Sequence, residues 1–526
     1  MESKQKISPV PGELPSQFAD RVGFEYTLLL KQIHKKELGQ FFTPAIIAKH
    51  MASFSNNSLA HLRILDPGCG TGILTCALVE NLVDHNPNLI SIDIVAYEID
   101  ADLISSSMEV LKYLKEWLSK KNISLTYYLC VQDFVLDNSE VLNNNKNIFH
   151  TYKEPFDIII SNPPYFKLSK EDIRTKAAKP IVSGQLNIYS IFMAISAKLL
   201  KPGGELIFIT PRSFASGGYF RAFRKLFFNT VELEKIHLFS SRKDAFNRDN
   251  VLQETMILKA KREEHIDSNK LIEVSTSYGL KDIDNPKTKF FMYQDLIDLN
   301  SKEKILHIPT NENEELILNI IKRWNGTLGK HNIMISTGPV VAFRAWDNIH
   351  STYANENLAP LFWLHNVKKM ELNWPLNKAS KGQYIEIQEQ TKPILIPNKN
   401  YIFLRRFSSK DDKSRLIAAP YFSNFVKADN IGVENKVNYI YRSNDNLARN
   451  EVVGLCALLN SDLFDNYFRT FNGNVNVSAT ELRNMVFPPL DSIKEIGNKI
   501  ILSNNYQLEN VNKIVNEMFQ FELVST

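Results

Sequence analysis

Asn162-Pro163-Pro164-Tyr165 joins an amide, a stiff double-proline corner and an aromatic ring within four residues. The carboxamide both accepts and donates hydrogen bonds. A planar base with an exocyclic amino group could be held there by the Asn162 oxygen and a prolyl carbonyl, with Tyr165 stacked on the ring. Taken alone, the quartet is equally a strand end with a proline turn and a surface tyrosine. Three acids upstream argue for more. Asp66 heads the run Asp66-Pro67-Gly68-Cys69-Gly70-Thr71-Gly72, Glu98 follows Ala96-Tyr97, and Asp133 is followed by Phe134. A carboxylate at Glu98 suits hydrogen bonds to a ribose diol. Asp133 could accept from an adenine amino group while Phe134 covers the ring. Each acid alone is compatible with a solvated loop residue, but successive strands that all end in an acid or amide at one sheet edge form a constellation.

The elements that must position these groups follow from pattern. Phe156 to Ser161 is short, apolar and β-branched, as a buried parallel strand is, and the prolines end it abruptly because they cannot donate to a ladder. Open α/β sheets place ligands at that carboxyl edge. Arg63 to Asp66 predicts a strand, the glycines a tight turn, and Ile73 to Leu82 a helix. Strands are expected over 90–99, 124–131, 205–209, 231–239 and 252–258, with helices over 17–38, 103–118 and 187–200, and another starting near Pro44. That alternation predicts an α/β, Rossmann-like doubly wound sheet. Residues 167–184 are basic and mixed and read as a mobile flap. The expected organisation is an N-terminal arm and helix (1–38), a catalytic domain (39–265), a polar connector with some strand (266–304) and an α/β second domain (305–526).

Composition bounds the rest. Among 526 residues the formal net charge is only +4, so a nucleic-acid surface must come from local clustering. The densest basic stretch holds Arg405, Arg406, Lys410, Lys413 and Arg415, read either as phosphate contacts or as a solvated charged face. Four scattered cysteines without a CxxC pair argue against a zinc site or disulfide frame and fit a reducing compartment. No apolar run reaches membrane-spanning length. A cytoplasmic location, no membrane partner and no metal are expected.

Together these motifs resemble the amino-group DNA methyltransferases of restriction–modification systems, in particular adenine-N6 enzymes whose cofactor motifs precede the catalytic motif and whose recognition domain comes last. Leu252-Gln253-Glu254, Ser336-Thr337-Gly338-Pro339-Val340-Val341, Arg406-Phe407-Ser408-Ser409-Lys410 and Val475-Asn476-Val477 with Thr480-Glu481-Leu482-Arg483 look like the BsuBI/PstI branch. The resemblance implies a class I S-adenosylmethionine-dependent methyltransferase fold with a C-terminal target-recognition domain. It implies that Thr43 and Pro44 close over the methionine end of S-adenosylmethionine. Asp66, Gly68 and Gly70 would shape the loop beneath it, Glu98 hold the ribose, and Asp133 and Phe134 hold the adenine. Asn162 and the Pro163 carbonyl would bind the target amino group at the Pro164 corner, with Tyr165 and Phe246 covering the two faces of the flipped base. Double-stranded DNA is the implied partner, for a monomer working beside a separate cognate restriction endonuclease. Phe471-Asn472-Gly473-Asn474-Val475 departs from the family, where a Ser-Gly-His-Thr-Gln stretch is usual. Methyltransferases acting on RNA or on protein glutamine also carry Asn-Pro-Pro-Tyr, and a catalytically silent specificity subunit is a further alternative.

Overall fold

The computed structural model describes residues 7–29, 42–143, 154–184, 187–239, 255–353, 357–376, 381–408, 413–472 and 476–521. They form two compact units, Met1–His307 and Ile308–Thr526.

The first unit is built on one nine-stranded sheet. Its strands are β1 (His61–Asp66), β2 (Ser91–Tyr97), β3 (Ser124–Cys130), β4 (Phe156–Ser161), β5 (Leu200–Pro211), β6 (Val231–Phe239), β7 (Thr255–Arg262), β8 (Leu271–Ser277) and β9 (Lys287–Met292). Their order is β3-β2-β1-β4-β5-β7-β6-β8-β9. The strands from β3 to β5 run parallel, and β7 is antiparallel to both neighbours. The chain runs outward from β1 to β3 and then returns to β4. The β1/β4 junction is therefore the topological switch point, where a crevice opens outside the strand ends. β4 is buried at every position, which explains its unbroken apolar run.

Helices α1 (Pro15–Leu29), α2 (Ala45–Ala52), α3 (Ile73–His85), α4 (Ala101–Ser119), α5 (Phe134–Asn138) and α6 (Ile188–Leu199) complete the layers. Between β1 and α3 the backbone takes left-handed values at Gly70 (φ 54°) and Gly72 (φ 84°), a conformation that favours glycine. Phe18 and Val22 of α1 join the core that α3 and α4 cover. Ser16 also donates to Glu80 through its backbone N–H and its hydroxyl, both at 2.7 Å. The described part of the expected arm is thus part of the first unit. The predicted connector is corrected too. β8 pairs with β6 in parallel and β9 closes the edge, burying Ile272 and Val274. Glu273, Ser275 and Thr276 dilute the apolar alternation in 271–277, so the strand expected within the connector gives no sign that it extends the main sheet. The expected flap holds a helix, Ile173–Ala177, and buries Leu168, Ala178 and Ile181.

The second unit has an antiparallel sheet in the order Met334–Thr337, Val437–Tyr441, Tyr401–Arg405, Ala418–Tyr421. A five-stranded mixed sheet includes Leu358–Phe362 and Asn430–Val433. Helices Arg449–Asn460 and Leu490–Ser503 cross at Gly454 and Gly497, where a Cβ on either would run into the other's backbone.

Candidate active site at the carboxyl edge of the sheet

Each sequence-predicted acid stands where its strand ends. Asp66 closes β1 and is fully buried. It accepts from the Thr75 hydroxyl at 2.8 Å and the Gly68 N–H at 3.4 Å, bracing the glycine turn from below. Burial outweighs those two bonds and pushes its carboxyl up to about 7, with Glu98 adding repulsion. Glu98 follows β2 and accepts from the Gly70 N–H at 2.9 Å and the Asp100 N–H at 2.7 Å, so it locks the loop to the next strand. Burial raises its carboxyl against the pull of those two N–H groups. Asp133 caps α5 by accepting from the Leu136 N–H at 3.0 Å. Phe134 behind it is buried between Tyr97 and Phe192, with ring centroids 5.3 and 4.9 Å away.

Apart from Asp66, sealed beneath the glycine turn, these groups share one cavity. It is lined by Thr43, Gly68, Gly70, Glu98, Asp133, Phe134, Asn162 and Pro164, with Phe42, Phe166, Arg174 and Phe192 among other side chains. Pro44 caps α2 behind the wall, and Pro163 is buried behind the corner. Arg174 is a residue that sequence reasoning missed. It belongs to the short helix within 167–184, pairs with Asp172 at 2.7 Å, lies 3.8 Å from Asp133 and stacks its guanidinium 5.4 Å from the Phe166 ring centre. Only a basic residue inside a mixed stretch hinted at it.

Asn162 is held at both ends of its amide. Its Nδ2 donates to the Thr43 hydroxyl at 3.0 Å, and its Oδ1 accepts from the Tyr165 hydroxyl at 2.6 Å. The Tyr165 hydroxyl also lies 2.9 Å from the Ile209 carbonyl. Tyr165 corrects an expectation, because its ring is only 8% exposed and meets Tyr189 edge-on rather than offering an open face. The apolar wall of α6 takes the ring in.

The basic stretch divides. Lys413 is exposed, and Arg405 and Arg406 are half-buried. The Arg405 Nε donates to the Val367 carbonyl and the Arg406 Nη1 to the Asn435 carbonyl. Arg415 is corrected. It is 2% exposed, donates to the Ser408 carbonyl and the Asn472 side chain, and lies over Phe468. Its charge is spent on internal acceptors, so it presents nothing to a phosphate. Phe246 and Lys410 lie outside the described residues. Among those residues no cluster of three or more His, Cys, Asp or Glu could hold a metal ion, and no helix is long and apolar enough to cross a membrane.

A glycine turn between β1 and α3, an acid after β2 and the reversed strand β7 inserted beside β5 define the class I S-adenosylmethionine-dependent methyltransferase fold. Within it, residues 85–246 match the profile of the Eco57I restriction-modification methylases. The chain is 32% identical to the type II methyltransferase M.PstI of Providencia stuartii, over 93% of this chain and 94% of that protein. It is 33% identical to M.BsuBI of Bacillus subtilis over 91% of this chain and 93% of that one. The type IIG restriction endonuclease BpuSI shares 14% identity at a TM-score of 0.40, covering 96% of this chain and 67% of that chain. The chain belongs to the M.PstI and M.BsuBI family of restriction–modification DNA methyltransferases.

Proposed function

We propose that this chain, as a cytoplasmic monomer, methylates the exocyclic N6 of an adenine turned out of duplex DNA, protecting its sites from a separate cognate endonuclease. One observation supports this above others. The Asn162 amide stands, fixed by Thr43 and Tyr165, on the wall of the cavity that Glu98 and Asp133 also line.

The cavity fits S-adenosylmethionine. Each Glu98 oxygen keeps a lone pair for a ribose hydroxyl beyond its backbone bond. Asp133 has one oxygen uncommitted to the cap, facing Arg174 and available to an adenine amino group. Phe134 and Ile99 supply apolar walls, and Thr43 stands at the other end. When bound, S-adenosylmethionine supplies an electrophilic methyl group on a sulfonium.

The adenine amino group is a poor nucleophile because its lone pair is delocalised into the ring. Asn162 Oδ1 and a prolyl carbonyl, by accepting its two hydrogens, draw the nitrogen toward tetrahedral geometry and stabilise its developing positive charge. Neither acceptor is basic enough to keep a proton, so the one released passes to water. Tyr165 now bonds Oδ1, yet its hydroxyl has the Ile209 carbonyl as a second acceptor. It can therefore yield Oδ1 to an entering amino group without losing a hydrogen bond. Base extrusion costs a few kcal/mol, which phosphate contacts to the flanking backbone offset.

Asn162→Ala is expected to lower methyl transfer to unmethylated genomic DNA by about a hundred- to a thousandfold, while calorimetry still shows cofactor binding. Modified-base sequencing of DNA from an expressing host identifies the methylated atom. Methylcytosine in place of N6-methyladenine, or full activity in the Ala variant, would overturn the assignment.

A further inference from the structure

On the second unit a tight turn holds two large aromatic side chains out in solvent. Phe343 is 77% exposed and Trp346 59%. The turn is rigidly mounted. The Gly338 N–H donates to the Val437 carbonyl at 2.8 Å, the Val340 N–H to the Val433 carbonyl at 3.0 Å, and the Asn435 N–H to the Val340 carbonyl at 2.8 Å. A Cβ at Gly338 would collide with the Val433 and Glu434 carbonyls, so glycine is required for that approach. Ala345, between the two aromatics, is buried in a core cluster and pins the turn from beneath.

Cations are interleaved with these rings. The Arg344 guanidinium lies 5.4 Å from the Phe343 ring centre. Backbone bonds bring a second aromatic–cation pair to the same strand ends. The Arg406 N–H donates to the Lys436 carbonyl, the Arg406 Nη1 to the Asn435 carbonyl, and the Arg406 guanidinium stands 5.8 Å from the half-exposed Phe407 ring. Lys436 is itself exposed. The nearby carboxylates are exposed Asp347 and buried Glu434, the latter 3.9 Å from Lys436. An apolar protein partner would not need cations between its aromatic contacts. A polyanion whose flat bases alternate with phosphates uses both kinds of side chain.

We propose that the Phe343–Trp346 turn wedges against a base step of duplex DNA, its rings replacing the base–base stacking they displace, with Arg344, Arg406 and Lys436 on the flanking phosphates. The inference rests on the reading of this chain as an enzyme of duplex DNA. It assigns to the second unit a stacking turn outside the basic run at 405–415, of which only Arg406 takes part in the contact.

The test uses the full chain and fragments of unmethylated genomic DNA, with binding measured across a series of NaCl concentrations. Phe343→Ala and Trp346→Ala should each weaken binding about tenfold or more and leave the slope of log K against log [NaCl] unchanged. Arg344→Ala should make that slope shallower by about one. In methylation assays the aromatic variants should need correspondingly more DNA for half-maximal rate, with cofactor affinity unchanged as the check on folding. Unchanged DNA affinity in both aromatic variants overturns the proposal. So does a wild-type dimer that Trp346→Ala converts to monomers, which would make the turn a protein interface. A wild-type chain that neither binds nor methylates duplex DNA overturns the underlying reading instead, and that control is read before any variant.

Discussion

The sheet edge and the basic stretch of the second unit were singled out by the same kind of reasoning, yet they turned out differently. Asp66, Glu98, Asp133 and Asn162 all stand at or just beyond the ends of adjacent parallel strands, and the last three line one cavity. The cations of 405–415 scatter. Lys413 faces water, Arg406 bonds a neighbouring carbonyl, and Arg415 is sealed inside. Where a parallel strand ends is fixed by local pattern, and the doubly wound topology then delivers each end to one edge. Whether an arginine faces phosphate or interior depends on which carbonyls the distant chain leaves unpaired. No run of charges encodes that.

The sharpest way to break that contrast is to exchange the fates of Arg415 and Lys413. Arg415→Ala leaves the Ser408 carbonyl and the Asn472 oxygen without their donor in a buried place, a loss of about 3 kcal/mol or more. The denaturant midpoint should fall clearly. Lys413→Ala should leave the midpoint within about 0.5 kcal/mol and instead reduce the salt dependence of DNA binding by about one counterion. If Arg415→Ala kept full stability and lost only DNA affinity, its burial would not reflect its role.

A smaller effect sharpens the account of the other region. Thr43→Val removes the acceptor that orients the Asn162 amide and leaves its Nδ2 without that partner. A hydrogen bond of that kind is worth about 1 kcal/mol net, so kcat should drop about five- to tenfold, with Thr43→Ser restoring it. Because the bond acts on the amide, KM for the cofactor should move less than kcat. A change confined to cofactor KM would show that Thr43 serves the cofactor end alone.

Much of the fold was legible because its periods are strong. The β-α rhythm from 61 to 262 gave strand ends within a few residues, and those ends carried the site. Three things were hidden. β8 mixes polar residues into its ladder, so 266–304 reads as a connector with some strand, and its place in the main sheet is not visible. Arg174 reaches the cavity from a segment with no periodic signal. Tyr165 was expected as an open ring, but its orientation depends on the Ile209 carbonyl and Tyr189, which lie far along the chain. In each case the deciding partner was contributed by a different element, and the local sequence held only one half of the contact.

The smallest expected effect concerns pH, and it separates the buried acids of the sheet edge from an ordinary surface. Burial lifts Asp66 from 3.8 to about 7 and raises Glu98 as well. The cofactor-free folded chain therefore binds more protons than the unfolded chain between those values. By linkage, the contribution of Asp66 to stability is full below about 4, declines as pH rises through that window, and is flat above about 7. A cation entering the cavity favours the ionised carboxylates, so its binding must release protons. S-adenosylmethionine affinity should accordingly rise from pH 5.5 to about 7.5 and then level, by at most about tenfold per proton released for each pH unit. Calorimetry in buffers of different ionisation enthalpy reads the protons directly. Asp66→Asn should flatten the upper part of the profile and leave the part due to Glu98. Affinity that stays flat or falls as pH rises over this range would mean that binding draws no protons from these acids, and that burial does not hold them protonated in the free protein.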